Sequence, residues 1–568
     1  MAPVTIQHEV SYVPTFVALS HVAAAVYLTY TVGRGLYQSF KALPPAQDTR
    51  QRIHRRRILA PIFGGLALIA LVSDAYHKLG YLTLSYKVWA DEHGIAFPDS
   101  VFTTTANGTA RAPLYLTQWL TDTPIYHDAA EIVAEKARRH WWGSQAALAT
   151  VPWSMLLSIE GRRRNIPFLW AYMTLAHLVN LSFAQNLFYL ALLLAPSPLG
   201  GSIPRWAPSC VHLPSPTTLE VSTDNRGRLT NAVHALFPPK PANWHPNPGI
   251  YLVALIATYL VLFLVPYAAN EPSFSTITTL SRISAFLPLV IPTITPQSWG
   301  TYQANPHASY KMYGRVFRFI AAVSTLMHAK SSFEAVLFNL PGAWKHRHSL
   351  RVPFDVQHRT NWERTTTAVG KVLGSMSDHP AVRGVAVDVV ICAAALGIWA
   401  AVRGIGVDDI LGSSVPFYKA DITRESLMSA VVKEEEEGYA KAGIQASHSP
   451  PATVTRSGRT VRPSKRITDG SGSSSKEADD ATGTRRRGRP RKTRAEPGSE
   501  LSTETEIKAE DADATYVPEP GVAAEVGEGD RLEVDDDWEA AAVAWGITAL
   551  GGLGAGSAGV FGGECIAR

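Results

Sequence analysis

The apolar residues of this chain gather into long runs separated by polar and basic stretches. A bilayer core of about 30 Å takes roughly 20 apolar residues as a helix. Its dry interior also forces backbone hydrogen bonds to close within the segment, which favours helices. Runs of that kind lie at about 12–32, 58–75, 141–159, 166–195, 250–268, 274–294, 312–340 and 384–405. A ninth, AAAVAWGITALGGLGAGSAGVFG at about 540–562, is rich in Gly and Ala, a composition that suits close helix packing in lipid. The run 274–294 contains Thr, Ser and two prolines and is the most interrupted of the set. The pattern predicts an all-α fold, a polytopic integral membrane bundle of eight or nine transmembrane helices, and argues against a soluble enzyme.

Basic residues in short loops orient such a bundle, because they favour the cytosolic side. The first loop carries Arg34, Lys41, Arg50, Arg52, Arg55, Arg56 and Arg57; the third is GRRRN, 161–165; the loop after the seventh run carries Lys345, Arg347, Arg351, Arg359, Arg364 and Lys371. Straight passes through the membrane put all three in the cytosol, with the N-terminus and the loop 76–140 in the lumen. Asn107-Gly-Thr109 in that lumenal loop is a glycosylation acceptor sequence. The N-terminus has neither a basic n-region nor a small-residue cleavage site, so the first run reads as a retained span.

Composition changes this picture in one place. The mean hydropathy of +0.00 averages two unlike parts. Residues 420–537 are polar, charged and nearly free of aromatics, and cannot bury enough apolar surface to offset their ordering entropy. They divide the chain into a helical domain, 1–419, a disordered charged segment, 420–537, and a last transmembrane helix, 538–568. Within the segment, the run Arg485–Lys492 contains Arg487-Gly488-Arg489-Pro490, which resembles the AT-hook that lays arginines in an A·T-rich minor groove. With eight straight spans before it, the segment lies in the lumen, which argues against nucleic acid as a partner. A span count changed by one moves it to the cytosol, within reach of anionic lipid. The three cysteines, Cys210, Cys392 and Cys565, sit in no CxxC pair, which argues against a thiolate zinc site or a disulfide framework.

Ionisable groups within a membrane bundle are costly and mark candidate sites. In TDTPIYHDAAE, 121–131, Thr or Asp before Pro124 reads as a helix start that continues through Glu135 and Arg139 into Trp141 and Trp142. On that helix His127, Glu131 and Glu135 share one face, with Asp128 close by. The group suits an acid/base set in which apolar surroundings raise one carboxyl. It equally suits a metal held by His127 and Glu131, or a solvated acidic first turn that complements the helix dipole. In the fourth run His177, Asn180, Ser182, Gln185 and Asn186 can join helices by hydrogen bonds or hold a polar head group. In the seventh, His328, Lys330 and Glu334 form a third cluster; Lys330 and Glu334 lie one turn apart, and Glu334 reads as an ion-pair partner or a catalytic acid. Glu160 and Asp74 read as span-end residues that pair with arginines or face water. There is no P-loop, GxGxxG, HExxH or GxSxG.

The stretches QWLTDTPIYHDAAEIVAEKARRHWWGSQ (118–145), VPWSMLLSIEGRRRNIPFLWAYMTLAHLVNLSFAQNLFYLALLLAP (151–196) and WEAAAVAWGITALGGLGAGSAGVFGGE (538–564) together resemble fungal membrane proteins that include the terpene cyclases of ascofuranone and ascochlorin biosynthesis. The likeness covers roughly 10–405 and 538–564. It implies an isomerase acting in meroterpenoid biosynthesis. An epoxidised prenyl chain on an aromatic head group is protonated, and the cation is captured intramolecularly. Such a site needs a protonated carboxyl, no cofactor, a hydrophobic small-molecule substrate drawn from the bilayer, and aromatic faces such as Trp142 to steady the cation. The residues assigned to these roles are Asp128 or Glu131 as acid, Glu334 after them, His127 as orienting group, and Asn180, Gln185 and Asn186 for the head group. The endoplasmic reticulum is the expected membrane. The alternatives are a non-enzymatic membrane protein that recruits partners through 420–537, and a small-molecule transporter.

Overall fold

The computed structural model of the chain describes residues 10–41, 50–95, 114–195, 240, 244–302, 306–347, 355–403, 405–418 and 538–566. The chain divides into two units, one of Met1–Ala420 with Asp535–Arg568, the other Asp421–Val534. Asn107, the AT-hook-like run Arg487–Pro490 and the rest of 420–537 lie outside the described residues.

The first unit is helical. Its elements are α1 (Val13–Lys41), α2 (Arg50–Glu92), α3 (Leu116–Asp122), α4 (Ile125–Glu135), α5 (Ala137–Leu156) running into a π-turn (Leu157–Gly161), α6 (Leu169–Leu178) and α7 (Leu181–Leu194). After these come β1 (Trp244–Pro246), α8 (Pro248–Ala268), α9 (Phe274–Ser284), α10 (Leu287–Ile294), β2 (Gly300–Tyr302) and α11 (Pro306–Leu337). The last are β3 (Trp344–Arg347), β4 (Asp355–His358), α12 (Asn361–Gly374), α13 (Pro380–Arg403), α14 (Val407–Ser414) and α15 (Trp538–Ile566). The strands form two short antiparallel ribbons, with Trp244 opposite Tyr302 and Trp344 opposite His358.

Among the described residues, five helices are long and apolar enough to cross a membrane: α1, α2 from Arg57 onward, α8, α13 and α15. The pair α9 and α10, bent by 56°, makes a sixth if counted as one span. This is fewer than the eight or nine expected. The runs 141–159 and 312–340 lie in helices of ample length, α5 and α11, that fail the same test of apolarity. The outward faces remain apolar, with Phe16, Val22, Leu68, Ile69, Val72, Val253 and Leu260 exposed. The core is aromatic and tightly filled: Phe63, Trp153, Tyr189, Phe317, Trp399 and Phe561 are all buried.

Two of the expected spans do not run straight. Tyr172 on α6 and Phe188 on α7 stack edge to face with ring centroids 5.5 Å apart. A straight helix would hold them about 24 Å apart. The run 166–195 is therefore a hairpin of two half-length helices, turning at Val179 and Asn180. The second case is α15. A Cβ placed on Gly556 would lie 3.2 Å from the carbonyl oxygen of Ala544, where a straight helix separates such residues by about 18 Å. The chain reverses at Gly552, whose φ of 82° and ψ of 167° belong to a region open essentially to glycine alone.

Both hairpins enter from the same end of the bundle. At that end the finish of α5, the finish of α13 and the finish of α15 meet: Arg164 reaches Glu160 at 3.0 Å and Glu564 at 3.5 Å, and Arg403 Nε reaches Glu564 at 3.1 Å. We call it the arginine end. At the opposite end Arg138 and Arg139, opening α5, pair with Asp378, just before α13. This corrects the expectation that the three basic loops share a side. The GRRRN turn lies at the arginine end, whereas Lys345, Arg359, Arg364 and Lys371, between α11 and α13, lie at the other. The straight-pass reading failed because α6–α7 returns to the end from which it entered.

Candidate functional site

The helix expected to start at Pro124 and run unbroken into Trp141 does start there, as α4, but it breaks at Lys136, and α5 begins anew at Ala137. Neither Thr123 nor Asp122 caps α4, which has no side-chain cap. Asp122 instead accepts a hydrogen bond from Trp89 Nε1 at 3.0 Å. The break leaves α4 as a short helix at the bundle edge, fixed from below by the Tyr81 hydroxyl donating to the Ile125 carbonyl at 2.8 Å.

The predicted face on α4 does form. His127 Nδ1 lies 3.7 Å from Asp128 and 3.5 Å from Glu131. One donor atom from each of the three residues falls within 4.8 Å of the others, a spacing that could hold a metal ion. Glu131 also accepts the backbone N–H of Asn270 at 3.0 Å, and the His127 ring packs edge-on to Phe274. Among the described residues neither Asp128 nor Glu131 has an ion pair with lysine or arginine. Burial raises the Asp128 carboxyl above its ordinary pKa; His127 opposes this and Glu131 adds to it. The group is only partly covered, with side-chain exposures between 27% and 35%. Glu135 turns away to Arg139 at 3.9 Å.

The other predicted residues are not brought to this face. Glu334 bonds Lys330 at 2.8 Å, so the ion-pair alternative holds for it in this structure. Asn180 caps α7 by accepting the N–H of Phe183 at 2.9 Å, and it donates to the Ala70 carbonyl at 3.1 Å. It lies outside the helix that carries His177. Gln185 donates to Tyr189 at 2.6 Å, and Asn186 donates to the Ser182 carbonyl at 2.7 Å. Trp142 packs edge-on to Trp141. Of these contacts of Asn180, Gln185, Asn186 and Trp142 only the bond from Asn180 to Ala70 joins two helices; the others stay within α5 or α7. Glu160 pairs with Arg163 and Arg164, as expected, but Asp74 sits well inside α2 and pairs with Lys78 at 2.8 Å.

Sequence reasoning named Ser182 and His328 but passed over their partners at the two hairpin tips, Asp388 and Gln145. At the first, the buried carboxylate of Asp388 accepts the N–H groups of Ser182 at 2.8 Å and Leu181 at 3.3 Å. At the second, Gln145 accepts the N–H of Leu553 at 3.0 Å and donates to His328 Nδ1 at 2.8 Å. The other ring nitrogen of His328 then faces Ser332 Oγ at 3.4 Å as a donor. A polar or acidic residue inside an apolar run was the available signal: Asp388 in VAVDVVIC and Gln145 in the run 141–159. No family model matches the chain, and no curated protein or solved structure matches it.

Proposed function

We propose that this chain is a multi-pass membrane protein that cyclises an epoxidised prenyl chain on an aromatic head group, with Asp128 as the initiating acid. Seven segments cross: α1, α2, α5, α8, the bent pair α9–α10, α11 and α13. The arginine end faces the cytosol, because the GRRRN turn lies there and Gly35, near the end of α1, packs beside it against Pro167. The edge of the bundle around α4 then faces the lumen, and an endoplasmic reticulum location fits the acceptor sequence at Asn107.

One observation carries the catalytic reading. Two carboxylates flank a single imidazole, no arginine or lysine among the described residues pairs with them, and burial raises the Asp128 carboxyl, which favours its protonated form. That carboxyl donates its proton to the epoxide oxygen, the carbon–oxygen bond opens, and a double bond of the same chain captures the cation. Glu131 accepts the proton lost from the cyclised cation, and His127 passes it back to Asp128. Mass is unchanged and no cofactor enters. A substrate dissolved in lipid reaches this half-covered face from the side.

The test is to express the full chain in yeast, supply an epoxy-farnesyl phenol, and look by mass spectrometry for an isomer with a new retention time. Asp128→Asn and Glu131→Gln abolish the isomer, and Glu334→Gln keeps it. Isomer formation by Asp128→Asn at the wild-type rate rejects Asp128 as the acid.

The two hairpins favour a second reading, transport, because half-length helices ending inside a bundle place polar groups at its middle. Passage of the unaltered phenol across vesicles containing the protein selects that reading.

A further inference from the structure

An ionised side chain within the membrane is costly, so it either has a partner or marks a site. Arg282 lies on α9, in the bent pair counted above as one span. Its side chain is exposed, and among the described residues it has no ion pair and no hydrogen bond. One turn further on, at the bend into α10, Phe286 packs on the ring of His177 with centroids 5.7 Å apart. His177 stands near the end of α6, beside the hairpin tip, and its buried Nε2 has no hydrogen-bond partner. The charge of Arg282 acts on this ring and on that of His21. His21 of α1 donates to the Leu178 carbonyl at 2.9 Å and stacks on Tyr126 of α4, centroids 5.1 Å apart. The other charges of this region are already engaged. Lys78 of α2 pairs with Asp74 and donates to the carbonyls of Leu178 at 2.8 Å and Val179 at 2.9 Å. Asp388 of α13 accepts from Ser182 and Leu181. Arg282 and His177 are thus left with an uncompensated positive charge, an unused ring nitrogen and no anion between them.

We propose that Arg282 and His177 Nε2 form a binding site for the carboxylate of a single-chain amphiphile that enters from the lipid. The guanidinium fork takes a carboxylate through two parallel N–H···O bonds. The His177 ring, protonated at Nε2, donates to the same group, and Phe286 walls the site on its apolar side. Depth separates this ligand from the phosphate of a phospholipid. About 12 Å of α9 lies between Arg282 and Phe274 at the lumenal edge. A phospholipid phosphate stays ionised at the membrane surface, whereas a single-chain acid crosses lipid in its neutral form and passes this depth. The binding claim stands without the cyclase reading. One addition rests on that reading: the aromatic head group of the substrate carries the carboxylate. With the head at Arg282, a prenyl chain laid along α9 reaches Phe274, which packs against His127.

The experiment places the full chain in phosphatidylcholine nanodiscs and measures saturable binding of a tritiated farnesyl-hydroxybenzoic acid. The competitors are the unlabelled acid, its methyl ester and lysophosphatidic acid. The acid displaces the label, the ester does so about tenfold less well or worse, and lysophosphatidic acid does not compete. Arg282→Gln weakens binding of the acid about tenfold or more. Arg282 is exposed, so its replacement leaves the core packing as it was. Arg282→Lys, which keeps the charge and loses the fork, falls between the two. His177→Phe keeps the ring against Phe286 and weakens the acid several-fold. Lys330→Met, which removes a different cation of the bundle, leaves binding unchanged. Absence of saturable binding to the wild type overturns the site, and so does wild-type affinity in Arg282→Gln. Displacement by lysophosphatidic acid as strong as by the acid means that the anion is a lipid phosphate and overturns the carboxylate. Arg282-dependent binding without any isomer from the epoxide of the same acid upholds the site and rejects the cyclase reading alone.

Discussion

The hairpins α6–α7 and α15 face the same physical problem and solve it differently. A helix that stops inside an apolar bundle leaves backbone groups without partners, and no water is there to take them. The first hairpin answers with ionisable side chains, Lys78, the His21 ring and Asp388, from three surrounding helices. The second answers with a neutral amide and close approach. Gln145 takes the one N–H freed at the turn, and glycines let the two arms and their neighbours touch, as where Gly562 meets Ser413. The first hairpin is held by side chains drawn from distant helices, the second by one amide and by close approach of backbones.

The largest effect is expected at the turn of the second hairpin. Gly552→Val forces a β-branched residue into a glycine-only conformation and against His328 and Gln145, at a cost of about 3 kcal/mol or more. Thermal unfolding in detergent should show no folded protein or a much lower midpoint. Asp388→Ala removes the acceptor of two buried N–H groups and should destabilise by about 3 kcal/mol. A near wild-type midpoint for Asp388→Ala would mean that the first tip is not held by charge. Gln145→Leu orphans a single N–H and should cost about 2 kcal/mol in the same assay. Equal losses for Asp388→Ala and Gln145→Leu would erase the distinction between the hairpins.

Asp128→Asn tests the α4 face by pH. The folded carboxyl binds its proton more tightly than the unfolded one. Its favourable contribution is thus complete below the ordinary carboxylate pKa and lost as pH rises through the raised value. The asparagine variant should lose less stability than wild type on going from acid to neutral pH. Cyclisation should likewise slow as Asp128 ionises. Equal pH profiles for the two proteins would show that Asp128 does not titrate in this way. The smallest effect belongs to Lys330→Met, which breaks a half-exposed pair with Glu334 and should change stability by no more than ~1 kcal/mol.

Much of this was legible in the sequence because hydrophobic run length is a direct physical signal. The positions of most long helices and the His127–Asp128–Glu131 face follow from spacing alone. The reversals did not follow, because an apolar run of given length is the same whether the helix crosses or folds back. Asn180 is a good N-cap and marked the first reversal, but inside an apolar run it also reads as interhelical glue. The glycines near 552 signalled close packing without telling which partner approached. The partners themselves, Asp388, Lys78 and Gln145, come from distant parts of the chain and become meaningful only once the bundle assembles.

In the multi-pass arrangement proposed above, the reversal of α6–α7 changes the side of everything that follows it, so the most direct test is sidedness. Cysteines at the exposed positions Arg162, Trp362 and Phe417 are labelled in sealed microsomes with a reagent that cannot cross the membrane. The account predicts that positions 162 and 417 label from the cytosol and that position 362 labels only after the membrane is opened. Labelling of 162 and 362 from the same side, with 417 protected, would mean that 166–195 crosses the membrane after all, and would contradict the hairpin.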